Sequence, residues 1–391
     1  MSDFRAIGSF AKQLKRVNES NSSGADVYSV TKYDGFVRSL DYFKKQVFSR
    51  DLSSYKIVRK GEFAYSTIHL DEGALGLLAD EEALISPMYT TFEVDASVER
   101  QYLAYLLKSP NLINQYGLIG QGSVNRRKSV PFSSLAELEV FIPPLPEQKK
   151  IAEILSGIYS NIQTHSTRLR VLQNIQNALF SELPRKEDAT EGALLGDIIS
   201  ALNSGWSPVC PPKTRVGEEP AILKTTAIAW EGYRPEENKV LPSELVSKDE
   251  AVVKSGDILC TRKGPRDRVG VVCYVSETPP NLMVPDTAFR IRTLEGIDPH
   301  YISLVLGSKE VQEEWNRKKV GLAEAQVNIN HGILKETFVP LPSREKQLWF
   351  VNAITSTRER IKQENSKLRA LQVLKSSLSS DLLSGRKRVS F

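Results

Sequence analysis

Residues 142–184 read IPPLPEQKKIAEILSGIYSNIQTHSTRLRVLQNIQNALFSELP. Counting every 3.5 residues from Ile151 gives Ile151, Leu155, Ile158, Ile162, His165, Leu169, Leu172, Gln176, Leu179 and Leu183, and eight of these ten are apolar. An apolar seam of that period belongs to a helix that pairs with another helix. Pro143, Pro144 and Pro146 set its start, because proline is tolerated only in the first turn, and Pro184 sets its stop. Between them lie about 36 residues, roughly 54 Å of helix at about 1.5 Å per residue.

A second copy lies 199 positions downstream. Without a gap, Gln148 falls on Gln347, Ile162 on Ile361, Leu169 on Leu368, Leu172 on Leu371, Leu179 on Leu378 and Leu183 on Leu382. Substitutions keep the chemistry: Ile151 becomes Phe350, Leu155 becomes Ile354 and Ile175 becomes Leu374. The same offset extends upstream, where Tyr102 and Ser109 meet Tyr301 and Ser308. Further back the register slips, and KGEFAYS at 60–66 resembles SGDILCT at 255–261. The period is far too long for a solenoid repeat, so the chain is a duplicated unit, each copy a globular domain followed by a long helix.

Two divergent domains alternating with two similar helices, which start at PLPEQKKIAEIL and PLPSREKQLWFV, resemble the specificity subunits of type I restriction-modification systems. GDILCTRKG at 256–264, and LKTTAI at 223–228 followed by EENKVLP at 236–242, add to the resemblance, which covers nearly the whole chain. The resemblance implies two target recognition domains and an antiparallel helix pair that holds them apart and docks two S-adenosylmethionine-dependent adenine methyltransferase (modification) subunits. Restriction subunits, which are motor-nucleases using ATP and Mg, would complete the complex. It also implies that this chain recognises a bipartite target in double-stranded DNA, directs methylation and restriction by its partners, and itself binds no cofactor. The expected fold is α+β or α/β with pseudo-twofold symmetry: a first recognition domain at 1–142, a central helical spacer at 143–186, a second domain at 187–338, and a C-terminal spacer with a basic tail at 339–391. Domain and helix are expected to form separate cores. Two other readings stay open: the specificity subunit of a related or orphan modification system without the translocating nuclease, and a coiled-coil scaffold for protein assembly.

Length and composition agree with two domains. The chain has 391 residues, 40% of them hydrophobic and 25% charged, and no uncharged apolar run approaches the about 18 residues of a membrane span. The N-terminal MSDFRAIGSFAKQLKR lacks a signal peptide's apolar core, so a cytoplasmic protein is expected. Cys210, Cys260 and Cys273 are odd in number and form no CxxC pair, which speaks for plain thiols over a disulfide framework or a zinc site. The net charge of +5 is modest, but residues 344–388 carry eleven Lys or Arg against four Asp or Glu. DNA contact must therefore rest on local clusters.

Catalytic signatures are absent from the sequence. The Pro-Pro pairs read IPPL, CPPK and TPPN, without the Asn or Asp that an adenine-N6 methyltransferase places before Pro-Pro-aromatic. There is no GxxxxGK[ST] loop to cradle phosphates, no ExK after the Pro-Asp at 285–286, and no HExxH among four histidines. GLIGQG at 117–122 follows a helix and lacks the preceding strand that a dinucleotide fingerprint requires. A non-catalytic subunit is expected.

Base readout needs Arg, Lys, Asn or Gln at groove edges, with further cations on phosphates. In the first domain Arg38, Lys44, Lys45 and the run Asn125, Arg126, Arg127, Lys128 fit that need. In the second the candidates are Lys213, Arg215, Lys224 with Thr225, and Arg262, Lys263, Arg266 and Arg268 around Gly264-Pro265, where a loop after a strand lets side chains converge without burial. Arg317, Lys318 and Lys319 close a helix, whose dipole they also complement. Two single helices are expected, VERQYLAYLLKSPNLINQY and PHYISLVLGSKEVQEEWNRK, each followed by a loop, and the tail SGRKRVSF after Leu383 is expected to fray.

Overall fold

A computed structural model describes residues 3–19, 23–120, 129–323 and 326–390. The chain divides into two compact units: Met1–Ser166 with Ser366–Phe391, and Thr167–Asn365. Both boundaries fall inside the long helices, Leu145–Ser181 (the central helix) and Arg344–Leu383 (the C-terminal helix).

The first unit holds two four-stranded sheets. One is antiparallel, in the order Ala11–Leu14, Tyr89–Val94, Phe63–Ser66, Leu75–Leu77. The other runs Gly35–Arg38, Val27–Thr31, Glu82–Ile85, Lys56–Arg59, with its middle pair parallel. Phe4–Ala6 pairs with Glu139–Phe141, the strand that leads into the central helix. The second unit repeats this plan. Ile199–Ser204, Ala288–Thr293, Ile258–Thr261 and Val272–Tyr274 form a sheet of the same order, Ala221–Leu223 and Leu282–Met283 supply the parallel pair, and Gly192–Leu194 pairs with Phe338–Pro340.

The matched sequence fragments do matched work. In KGEF and SGDI the glycines Gly61 and Gly256 take positive φ (82° and 90°), which tightens the turn into a core strand. The next residue is a buried carboxylate that accepts a backbone N–H three residues upstream: Glu62 from Arg59 and Asp257 from Lys254, both at 2.8 Å. Each carboxylate is then paired with arginine, Glu62 with Arg16 at 3.0 Å and Asp257 with Arg292 at 2.6 Å. Tyr102 and Tyr301 are both fully buried, and their hydroxyls donate to the carbonyls of Phe141 (2.7 Å) and Pro340 (3.1 Å). Gln148 and Gln347 reach back from the first helical turn to the carbonyls of Pro143 (2.7 Å) and Pro342 (2.8 Å). The proline-bounded helix start is therefore a closed hydrogen-bonded turn in both copies.

Along the central helix every seam position from Ile151 to Leu183 is buried or half-buried, while residues 166–168, 173–175 and 177–178 beside the seam are exposed. The C-terminal helix follows the same rule at Phe350, Ile354, Ile361, Leu368, Leu371, Leu378 and Leu382. Ile175 and Leu374 lie off the seam and are exposed. Within the first unit Leu382 shares a core with Ile151 and Leu155, and the Lys375 ammonium lies 4.1 Å from the Tyr159 ring centre. Within the second, Phe350 and Ile354 pack with Leu183, and the Arg358 guanidinium lies 5.5 Å from the Phe180 ring centre. Numbers rise on one helix as they fall on the other, so the pair is antiparallel in each unit.

Four expectations need correction. Helix and domain do not have separate cores: Ile151, Leu155 and Leu382 belong to one cluster with Phe63, Phe92, Tyr102 and Leu103, because the seam residues near Pro143 also face the sheet. Each single helix is two, Arg100–Leu107 with Pro110–Ile119 and Pro299–Leu306 with Lys309–Lys318. Ser109 and Ser308 break them by capping the second helix, accepting from Leu112 N–H and Val311 N–H, and Pro110 reinforces the first break. GLAEAQVN is not a loop: Val320–Ala323 and Gln326–Asn328 are antiparallel strands. The tail is docked, with Arg388 donating to buried Glu147 (2.7 Å) and to Asp3 (2.7 Å), and Val389 N–H also reaching Glu147.

Candidate nucleic-acid interface

In the first unit Arg38 ends a strand and is held from two sides. Its Nε donates to the Tyr28 hydroxyl at 2.9 Å, and Asp26 lies 3.5 Å from its Nη1. The Tyr28 hydroxyl donates in turn to Asp80. The Tyr28 hydrogen bond, then the nearby carboxylate Asp26, raise the Arg38 pKa further above its usual value. Lys44 and Lys45 sit in an exposed bend, and neither makes a hydrogen bond or ion pair among the described residues. Ser39 before them and Val47 and Phe48 after them line a cavity of about 360 Å³ together with Ser29, Tyr55 and Met88. Asn125, Arg126, Arg127 and Lys128 lie outside the described residues.

In the second unit most candidate cations already have partners. Arg215 donates to the carbonyls of Glu219 (3.3 Å) and Pro280 (2.6 Å), which ties a loop together. Lys224 lies 3.5 Å from Glu237, and Thr225 shares a hydrogen bond with Thr287 at 2.9 Å. Lys213 is exposed. Around Gly264 the loop side chains spread apart. Lys263 pairs with Asp286 at 2.5 Å, Arg266 donates to the Asn316 carbonyl at 3.3 Å, and Arg268 donates to the carbonyls of Thr225 and Ile228.

Arg262 differs. Its guanidinium lies 5.2 Å from the Phe289 ring centre, its Nε is buried, and no described residue accepts a hydrogen bond from it. A guanidinium held against an aromatic face with its donors unspent is suited to a phosphate or a base edge. His331 meets the same Phe289 ring edge-on at 4.7 Å. Burial, then Arg262 and Lys335, lower the His331 pKa, so its imidazole is neutral at neutral pH. Sequence reading passed over Asn328, whose side-chain oxygen is buried without a partner.

Other chemistry finds no footing among the described residues. Burial pushes the Cys273 thiol up to about 12 and raises Cys260 as well, so neither is a thiolate nucleophile at neutral pH. No group of three or more His, Cys, Asp or Glu side chains is placed to hold a metal ion. No helix is long and apolar enough to cross a membrane.

Residues 76–174 match the family model described as the type I restriction modification DNA specificity domain. The EcoEI type I specificity subunit of Escherichia coli is 36% identical over 184 residues, 46% of this chain and 31% of that protein. The MjaVIII specificity subunit of Methanocaldococcus jannaschii is 22% identical over 330 residues, 80% of this chain and 76% of the relative. Against the first of these, the chain spans less than a third of the relative's length. In structure, the S subunit of a type I restriction-modification system from M. genitalium superposes with a TM-score of 0.59 at 14% identity, covering 97% of this chain and 95% of the other.

Proposed function

We propose, from the premise that this chain belongs to the specificity subunits of type I restriction-modification systems, that it reads a bipartite sequence in double-stranded DNA and directs partner subunits to it. The observation that carries this reading is the duplication: two units with one sheet order and one helix-start motif are two readers of one kind, suited to the two halves of a split target.

The chain itself is non-catalytic on this reading. Modification subunits bring S-adenosylmethionine and methylate adenine, restriction subunits bring ATP and Mg, and the complex works in the cytoplasm. Arg262, with unspent donors beside Phe289, contacts the DNA of the second half-target, and the exposed Lys44 and Lys45 contact phosphates of the first. Arg215 and Arg268 keep their carbonyl partners and hold the scaffold.

Methylome sequencing of a host that expresses this chain with its modification subunit tests the reading. Methylated adenines within a two-part motif of fixed gap are expected. An unsplit motif, or the same methylation without this chain, overturns it.

A further inference from the structure

The strands Val320–Ala323 and Gln326–Asn328 form an antiparallel ribbon that continues through Lys263–Gly264 into a three-stranded sheet with Gln326–Asn328 in the middle. The ribbon is built for close approach. A Cβ on Gly321 would stand 2.4 Å from the Gln326 carbonyl oxygen, so this spacing requires glycine. Val327 and Ile329 are buried in the core of the second unit, and by strand alternation Gln326 and Asn328 project to the opposite face. Gln326 is exposed, while Asn328 is half-buried and its side-chain oxygen is buried without a partner. Lys263 stands opposite Asn328 in the register, paired with Asp286 at 2.5 Å, and the last turn of the helix before the ribbon carries Arg317, which is exposed and makes no ion pair among the described residues.

We infer that this ribbon is the base-reading element of the second unit, with Gln326 and Asn328 reading adenines in the major groove and Arg317 on a flanking phosphate. The inference rests on the reading of the chain as a DNA-target reader. A two-stranded ribbon fits the major groove, and Asn and Gln side chains match the adenine edge with one donor and one acceptor. A buried amide oxygen left without a partner costs stability, so turning the Asn328 side chain outward to meet a base amino group gains the hydrogen bond that the fold withholds. The duplication adds an independent observation. Ile329 N–H donates to the Arg262 carbonyl at 2.9 Å, and 199 residues upstream Val130 N–H donates to the Thr67 carbonyl at 2.8 Å, so Ser129 stands where Asn328 does.

The test is methylome sequencing with Gln326→Ala, Asn328→Ala and Asn328→Asp, each co-expressed with the modification subunit, alongside melting of the purified chains. Each alanine variant is expected to relax discrimination about ten- to a hundredfold at one position of the second half-target, leaving the first half unchanged. Asn328→Asp keeps the shape but exchanges the amide donor for an acceptor, and is expected to move the preference at its position from adenine toward cytosine. The parent motif persisting in all three variants overturns the inference, as does relaxation of both halves. Loss of methylation with an unchanged melting temperature supports it, and loss with a lowered one assigns Asn328 to the fold and overturns it. Failure of the parent reading would show separately, as a wild-type chain that yields no two-part motif.

Discussion

Tyr102 and Tyr301 do the same job in the two units, donating from a buried hydroxyl to the strand that leads into each long helix. Replacing either by phenylalanine keeps the ring and strands a buried carbonyl, so each substitution should cost about 1–3 kcal/mol, measurable by urea unfolding. Arg268→Ala, which strands the carbonyls of Thr225 and Ile228, should lower stability by about 1–3 kcal/mol while leaving the methylated motif unchanged, because this arginine is committed to its own unit. Glu147 carries a pH signature. The Arg388 hydrogen bonds hold its carboxyl below the ordinary 4.5, so its stabilising contribution is complete above that value and is lost as pH falls through the lower, folded-state pKa. The difference in melting temperature between wild type and Glu147→Gln should therefore be full near pH 7 and shrink as pH falls below the ordinary 4.5. At this scale the sequence revealed which residues recur but seldom why. Tyr102 and Tyr301 were legible as a match at fixed offset, whereas their acceptors, 39 residues away, depend on tertiary folding. Arg38, Arg215 and Arg268 read as available cations because sequence cannot show a carboxylate or carbonyl brought in from elsewhere in the chain.

The helices were legible because their signal is long and periodic. Eight apolar seam positions outvote His165 and Gln176, and proline marks both ends. Short elements were not. The ribbon of Val320–Ala323 and Gln326–Asn328 has too few residues for alternation to stand out, and its Gly321 reads as a loop residue until the close approach to Gln326 is seen. The breaks at Ser109 and Ser308 were written in the sequence as caps, but the apolar periodicity on either side hid them. Arg170 and Val171 are both exposed, so an insertion there spares the seam. Four added residues keep approximate register and lengthen the helix by about 6 Å, so the gap tolerated between half-targets should grow by one or two base pairs at about 3.4 Å each, with the half-target sequences unchanged. Two added residues turn the seam by about 200° and should abolish folding or assembly. Methylome sequencing of both variants checks this, and an active four-residue variant with the original gap would show that helix length does not set the spacing.

At the scale of the molecule, the duplication was plain in sequence while the division into units was not, since the first unit is assembled from two segments far apart in the chain. An exchange of recognition domains at Pro143 cuts a single core, separating Phe63 and Tyr102 from Ile151, Leu155 and Leu382. Exchanging residues 1–166 together with 366–391 keeps that core whole. The paired exchange should change one half of the methylated motif and keep a normal melting temperature, whereas the exchange at Pro143 alone should melt lower. The same two-part construction orders events on the ribosome. Residues 167–365 form the second unit from one uninterrupted segment and can close while synthesis continues, but the first-emerging sheet waits for Leu382 and Arg388 before Ile151 and Glu147 are covered. The half made first is thus finished last, and through most of translation its apolar helix face stays open to chaperones, to aggregation, or to another nascent copy.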